Sequence, residues 1–204
     1  MIRKLLFGLF LISSLFKIFA QEKGRNFAIG IHYGFGSEFN NNDYTFTNHF
    51  CKVQLHYELK RGNHFRYEIL VQPEVNFAEH QLLNFYFVKP EEPNYIEKRE
   101  EYTKLKPIHE YVLNLGFLVR KPVSKSCSFY VLGSIGPMIT DTETERMSKG
   151  FAFSDVLAIG FTTKLKKLNF DVRPSIRHVS NAGITDQNSG YNTKNIEFGI
   201  SYLL

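Results

Sequence analysis

From Phe27 onward the chain places apolar side chains at every second position, a period of two that marks β-strands; a helical period of 3.6 nowhere shows itself strongly. Phe27, Ile29, Ile31, Tyr33 and Phe35 share one face of a first strand, against Ala28, Gly30, His32 and Gly34. In the second, Val53, Leu55, Tyr57 and Leu59 alternate with Lys52, Gln54, His56 and Glu58. The third sets Phe65, Tyr67, Ile69, Val71, Val75 and Phe77 against Arg66, Glu68, Gln72, Glu74 and Asn76, with Pro73 on a strand that a central soluble sheet would resist. The fourth carries Tyr111, Leu113, Leu115, Phe117 and Val119 against Glu110, Asn114 and Gly116. Phe129, Val131 and Ile135 mark the fifth, and Phe153, Leu157, Ile159, Phe161 and Leu165 the sixth. Phe170, Val172, Pro174 and Ile176 oppose Asn169, Asp171, Arg173, Ser175 and Arg177 in the seventh. The eighth closes the chain with Ile196, Phe198, Ile200, Tyr202 and Leu204 against Asn195, Glu197, Gly199 and Ser201.

Eight alternating segments are the smallest common number for a closed outer-membrane barrel. The connections are expected to be long after odd strands (around residues 37–50, 79–106, 140–150 and 181–191) and short after even ones (60–64, 121–126 and 166–168). That asymmetry matches long outer loops and short periplasmic turns. A soluble β-sandwich or lipocalin-like barrel also alternates, with the polar face outside. Here the polar face is charged on strand after strand while the other is rich in aromatics, which favours an all-β, eight-stranded antiparallel transmembrane barrel of the bacterial outer membrane. The last eight residues, Glu197 to Leu204, resemble the terminal strand signal read by barrel assembly machinery, with Leu at the end in place of the more usual aromatic.

The first twenty residues change the picture of where the protein works. Arg3 and Lys4 precede the apolar stretch Leu5 to Leu15, and Ala20 offers a small residue before polar Gln21. This has the form of a secretory signal peptide over residues 1–20, leaving residues 21–204 as one barrel domain without an evident linker. A retained membrane helix needs about 20 apolar residues, and Lys17 interrupts this one. Loss of Arg3, Lys4 and Lys17 lowers the formal charge from +5 to +2, which removes the electrostatic case for nucleic acid. Two cysteines occur in a compartment that permits disulfides. With the N-terminus inside, Cys51 is expected near the outer end of the second strand and Cys127 near the inner end of the fifth. That separation exceeds the roughly 7 Å limit on Cα distance, so both are expected to be free.

One segment is densely polar: Arg177-His178-Val179-Ser180-Asn181-Ala182-Gly183, continuing through Asp186 and Asn188 to Asn192. His178 and Ser180 continue the lipid-facing series of the seventh strand, where polar side chains are costly unless they lie at the interface or perform a function. At i and i+2 their Cα atoms are roughly 6 to 7 Å apart on one face. A histidine is a natural general base near neutral pH, and a serine hydroxyl needs such a partner to act as a nucleophile. On the residues alone, the pair fits either that chemistry or polar decoration of the interface.

The run His178-Val179-Ser180-Asn181-Ala182-Gly183, followed by Asn188 and Gly190, resembles the active-site segment of the PagL-type lipid A 3-O-deacylases, the acyloxyacyl hydrolase family of outer-membrane barrels. The resemblance implies a serine esterase on the outside of the barrel wall near the outer leaflet, acting on lipid A of lipopolysaccharide. It makes Ser180 the nucleophile, His178 the base, and Gly183 and Asn188 candidates for the oxyanion hole. No Cys/His metal spacing and no phosphate-cradling glycine loop appears in the sequence, so neither metal nor cofactor is expected. The best-studied form of the family has Glu where this chain has Asn192. Glu197 has interior parity, and Asp186 lies in a loop that parity does not place. Asn192 shares the lipid-facing parity of Ile196 and Phe198, and an amide can orient an imidazole. Asn192 is therefore the preferred third member, with Asp186 the lesser choice.

The remaining polar residues point to structure. His32 and His56 have interior parity and are expected to join Glu58, Glu68 or Glu74 in polar packing rather than bind metal. Residues 89–101 read as a mixed-charge outer loop, and Lys194 as an interfacial lysine that snorkels, preferred over a contact with a lipid phosphate. The other reading of the whole chain is a small barrel without enzymatic activity, its site decayed, serving adhesion or envelope integrity.

Overall fold

The computed structural model describes residues 27–185 and 187–204; the expected leader at residues 1–20, and Asp186, lie outside the described residues. Period-two segments pair in sequence order as β1 (Phe27–Glu38), β2 (Tyr44–Arg61), β3 (Arg66–Leu82), β4 (Lys106–Pro122), β5 (Cys127–Thr140), β6 (Gly150–Leu165), β7 (Leu168–Ser180) and β8 (Tyr191–Leu203). Every neighbour is antiparallel, and β1 returns to β8, so the sheet closes and leaves no open edge. Closure is what lets a sheet cross a bilayer, since each backbone N–H and C=O in the hydrocarbon needs a partner within the protein.

Parity decides what each side chain meets. Ile31, Val53, Leu115, Val131, Leu157 and Ile159 stand exposed on the outer wall. Their strand neighbours His32, Lys52, Gln54 and Asn114 are buried in the lumen, as is Arg173 of β7. The lumen is a packed interior. At its outer half Phe46, Val112, Met138, Val179 and Tyr191 form an apolar cluster, and Leu70, Leu118, Tyr130 and Leu132 form a second one. Between them run polar networks. Glu197 accepts from Arg173 at 2.9 and 2.7 Å and from Ser175 at 3.1 Å, and Lys52 bridges Glu197 and Glu74 at 3.2 and 2.9 Å. Glu110 accepts from Arg177 at 2.7 Å, from Asn76 at 2.6 Å, and from the Tyr191 hydroxyl. His56 lies 3.1 Å from Glu68, as expected of polar packing.

Three boundaries differ from the sequence expectation. β1 and β2 extend past the apolar wall to Glu38 and from Tyr44, so the first outer connection is only residues 39–43. Here the outward positions are Thr45, Thr47 and His49, which lack the apolar signal because this part of the barrel projects above the hydrocarbon. Cys51 therefore sits well inside β2, opposite Tyr33 and Val75, while Cys127 starts β5; both are free. The third difference is a helix, α1 (Tyr95–Tyr102), in the segment expected to be a solvated loop. Arg99 of α1 donates to the Val88 carbonyl at 2.9 and 2.7 Å, and Tyr102 packs on Leu82 and Val88. Burial raises the Tyr102 phenol above its ordinary value, Glu143 adding to the effect and Gln187 opposing it; the hydroxyl donates to Glu143 at 2.8 Å. Gln187 in turn donates to the Tyr102 oxygen at 3.3 Å, tying the connection after β7 to α1.

Candidate active site

The inward residues of β7 hold its outward residues in place. Arg173 and Ser175 are anchored to Glu197 of the adjacent β8, Arg177 reaches across the lumen to Glu110 of β4, and Val179 is buried in the outer apolar cluster. Pro174, Ile176 and His178 consequently stand exposed outside, with half-buried Ser180 following them at the end of the strand. A side chain carried on a strand pinned this way is positioned more precisely than one on a free loop.

His178 is in register with Asn192 of β8, and its Nδ1 lies 2.8 Å from Asn192 Oδ1. Since Oδ1 can only accept, Nδ1 carries the proton in this pair and Nε2 is left with a lone pair. That is the tautomer a general base requires. On its other side His178 is in register with Asp155 of β6, and Ser180 with Phe153. Asp155 has outward parity, and its Oδ1 is buried without a hydrogen-bond partner among the described residues.

The connection after β7 is built on Asn181, a residue only 1% exposed. Its carbonyl accepts from Ile184 N–H at 3.1 Å, closing a turn in which Ala182 and Gly183 both have positive φ, 55° and 77°. Its side chain donates to the Gln187 carbonyl at 2.8 Å and to the Thr185 hydroxyl, and accepts from Gly183 N–H at 3.0 Å. The Gly183 amide is thus engaged with Asn181 in this arrangement. Asn188 Oδ1 accepts from Asn181 N–H at 2.8 Å, so its amide nitrogen is turned the other way as a donor. Gly190, at φ 62°, lies against the pair itself: a Cβ there would stand 2.5 Å from the Val179 carbonyl, 3.5 Å from His178 Cε1 and 3.6 Å from Ser180 Cβ. Only glycine accepts both that backbone and that proximity. Arg146, from the connection after β5, clamps the segment by donating to the Gly190 carbonyl, while its own carbonyl accepts from Ser189 at 2.9 Å.

The site therefore offers an imidazole oriented by an amide, a serine two residues along the same face, and a turn whose Asn188 amide nitrogen has no partner among the described residues, all on the outer wall at the loop-rich end. A comparison with protein-family models finds the lipid A 3-O-deacylase (PagL) model over residues 71–201. The chain belongs to the PagL family. Removal of a 3-O-linked acyl chain from lipid A is an ester hydrolysis, and the protein is an outer-membrane lipid A deacylase. No curated protein matches the chain in sequence. Among solved structures, the crystal structure of the outer membrane enzyme PagL is similar with a TM-score of 0.57 at 11% identity, covering 83% of this chain and 97% of that one. Neisserial surface protein A is similar with a TM-score of 0.50 at 9% identity, covering 87% and 97%. At such identities these two likenesses speak for the barrel, and the family match carries the activity.

Of the residues singled out in the sequence, His178, Ser180 and Asn192 come together on the outer wall, Asn188 and Gly183 lie in the adjoining turn, and Glu197 is in the lumen with Arg173. Asn181 and Arg146 had no role assigned from the sequence. The sequence signal for Asn181 is its place inside the motif; for Arg146, which lies outside it on the connection after β5, there is none.

Proposed function

We propose that Ser180 is the nucleophile, His178 the general base and Asn192 the residue that orients it, with Asn188 as an oxyanion donor and Gly183 shaping the turn beside it. The 2.8 Å contact between His178 and Asn192, on the face that also bears Ser180, carries this reading. His178 Nε2 takes the hydroxyl proton as Ser180 Oγ bonds to the acyl carbonyl carbon. The tetrahedral oxyanion collapses, the bond between acyl carbon and sugar oxygen breaks, and His178 returns the proton to the departing alkoxide. Water then adds to the acyl-serine through the same base, releasing the 3-hydroxy fatty acid and restoring Ser180.

The substrate reaches the site from the outer leaflet, as lipopolysaccharide already seated in the membrane. The acyl chain lies along the apolar wall below His178, and the sugar sits at the level of the loops. Lipid A incubated with the detergent-folded protein is expected to lose the mass of one 3-hydroxyacyl group by mass spectrometry, and Ser180→Ala to leave it intact. Deacylation that persists in the folded alanine variant would reject Ser180 as nucleophile.

A further inference from the structure

Resting on that reading of Ser180 and His178, one ionisable group on the outer wall is left unexplained. Asp155 is an acid on a wall otherwise made of Phe151, Phe153, Leu157, Ile159 and Phe161. Ionisable side chains at such positions are rare and are retained for function. Its register partners are Ile135 of β5 and His178 of β7, and its Oδ1 has no hydrogen-bond partner among the described residues. It stands in strong contrast to the lumen acids Glu197 and Glu110, each of which has several partners.

A triad acid does two things. It fixes the imidazole through Nδ1–H, and its charge stabilises the imidazolium that forms when the serine proton is taken. Asn192 performs the first through its Oδ1 but carries no charge for the second. Side chains directly opposite on antiparallel strands have Cβ atoms about 4.5 to 5.5 Å apart. Asp155 and Asn192 therefore flank the same ring from the two neighbouring strands. We propose that the two functions are divided in this enzyme: Asn192 orients His178, and the Asp155 carboxylate supplies the negative charge that stabilises its protonated form. Asp155 is thus a positioning residue acting through His178, touching neither the ester nor the serine. On the outward face of β8 the charged residue next along from Asn192 is Lys194, a cation, which leaves Asp155 as the carboxylate in register with His178.

The test is steady-state kinetics on folded protein in detergent with lipid A, for Asp155→Asn, Asp155→Leu and each combined with Asn192→Glu. Asp155→Leu matches the apolar wall and so provides a folded variant should the asparagine disturb assembly; heat-modifiable electrophoretic mobility reports the fold. Both single variants are expected to lose about 10²-fold in kcat with KM changed less than threefold, because the imidazole stays oriented. Adding Asn192→Glu restores the charge from the other strand and is expected to recover at least tenfold of kcat. Folded single variants within threefold of the parent kcat, or a loss that Asn192→Glu does not rescue, would overturn the role of Asp155. If Ser180→Ala is inactive while Asp155→Leu is fully active, the nucleophile assignment stands and only this inference fails.

Discussion

Polar side chains fill the lumen and interrupt the lipid-facing wall, but they are held differently in the two places. In the lumen, Arg173 and Glu197 are each only 1% exposed and are bound to one another, with Lys52 and Ser175 completing the set. On the wall, His178 keeps one ring nitrogen for Asn192 and one for a reactant, Asn188 keeps its amide donor, and Asp155 keeps a buried oxygen unpaired. The lumen also leaves buried atoms unpaired, Asn114 Oδ1 and Nδ2 and Arg173 Nη1 among them, so what sets the wall apart is that its polar groups stand where a lipid can reach them. Strand parity separates the two sets on a single strand: Arg177 and His178 are consecutive residues, and one locks the strand that the other works from.

The sharpest way to break the comparison is to remove His178. His178→Ala is expected to lower deacylation by at least about 10⁴-fold, since a nucleophile and its base act as a unit. The barrel should unfold at the same urea concentration as the parent, because the exposed ring supports nothing in the lumen. A large loss of stability in that variant would mean that the wall residues are structural after all. Glu197→Ala probes the other side. Removing one member of a buried ion cluster leaves Arg173 and Lys52 uncompensated and typically costs about 3–5 kcal/mol. The urea midpoint in micelles should fall accordingly, while the activity of the molecules that remain folded stays within about twofold.

The same parity makes much of this legible in the sequence. Eight strands, their two faces and the outward position of His178, Ser180 and Asn192 follow from a period of two, and the short motif carried the family. What parity does not contain is register. Asp155 is one polar residue among Phe153, Leu157 and Ile159, invisible in a pattern defined by its apolar majority; only the pairing of β6 with β7 brings it beside His178. The first outer connection is shorter than alternation indicates for a related reason. Above the hydrocarbon the outward face turns polar at Thr45 and Thr47, so strands continue where alternation stops. The eight residues of α1 are too few to display a helical period strongly, and their helix is secured by Arg99 on the Val88 carbonyl, a contact between separate parts of the connection.

Asn192→Ala tests the orienting contact by itself. A hydrogen bond to a group that becomes charged contributes about 1.5–3 kcal/mol, so kcat should fall by roughly 10- to 100-fold, with KM and unfolding midpoint little changed. An effect on stability as large as that of Glu197→Ala would place Asn192 with the lumen residues and against the division drawn here.

The smallest effect is expected at Lys194, which shares the outward face of β8 with Asn192 and is in register with Ile176. Its side chain is exposed, and an exposed charge pair contributes about 0.2–1 kcal/mol, screened by salt. Lys194→Ala should therefore raise KM for lipid A no more than about fivefold, leave kcat unaltered, and lose even that difference at high ionic strength. A snorkelling lysine and one meeting a substrate phosphate separate here. The first gives a variant indistinguishable from the parent on bisphosphorylated and monophosphorylated lipid A alike. The second gives a KM penalty on the bisphosphorylated form that disappears when the phosphate is removed. A KM increase beyond tenfold would make Lys194 part of the binding site, and the reactive set on the wall would then extend one register position further toward the hydrocarbon than the row formed by Asp155, His178 and Asn192.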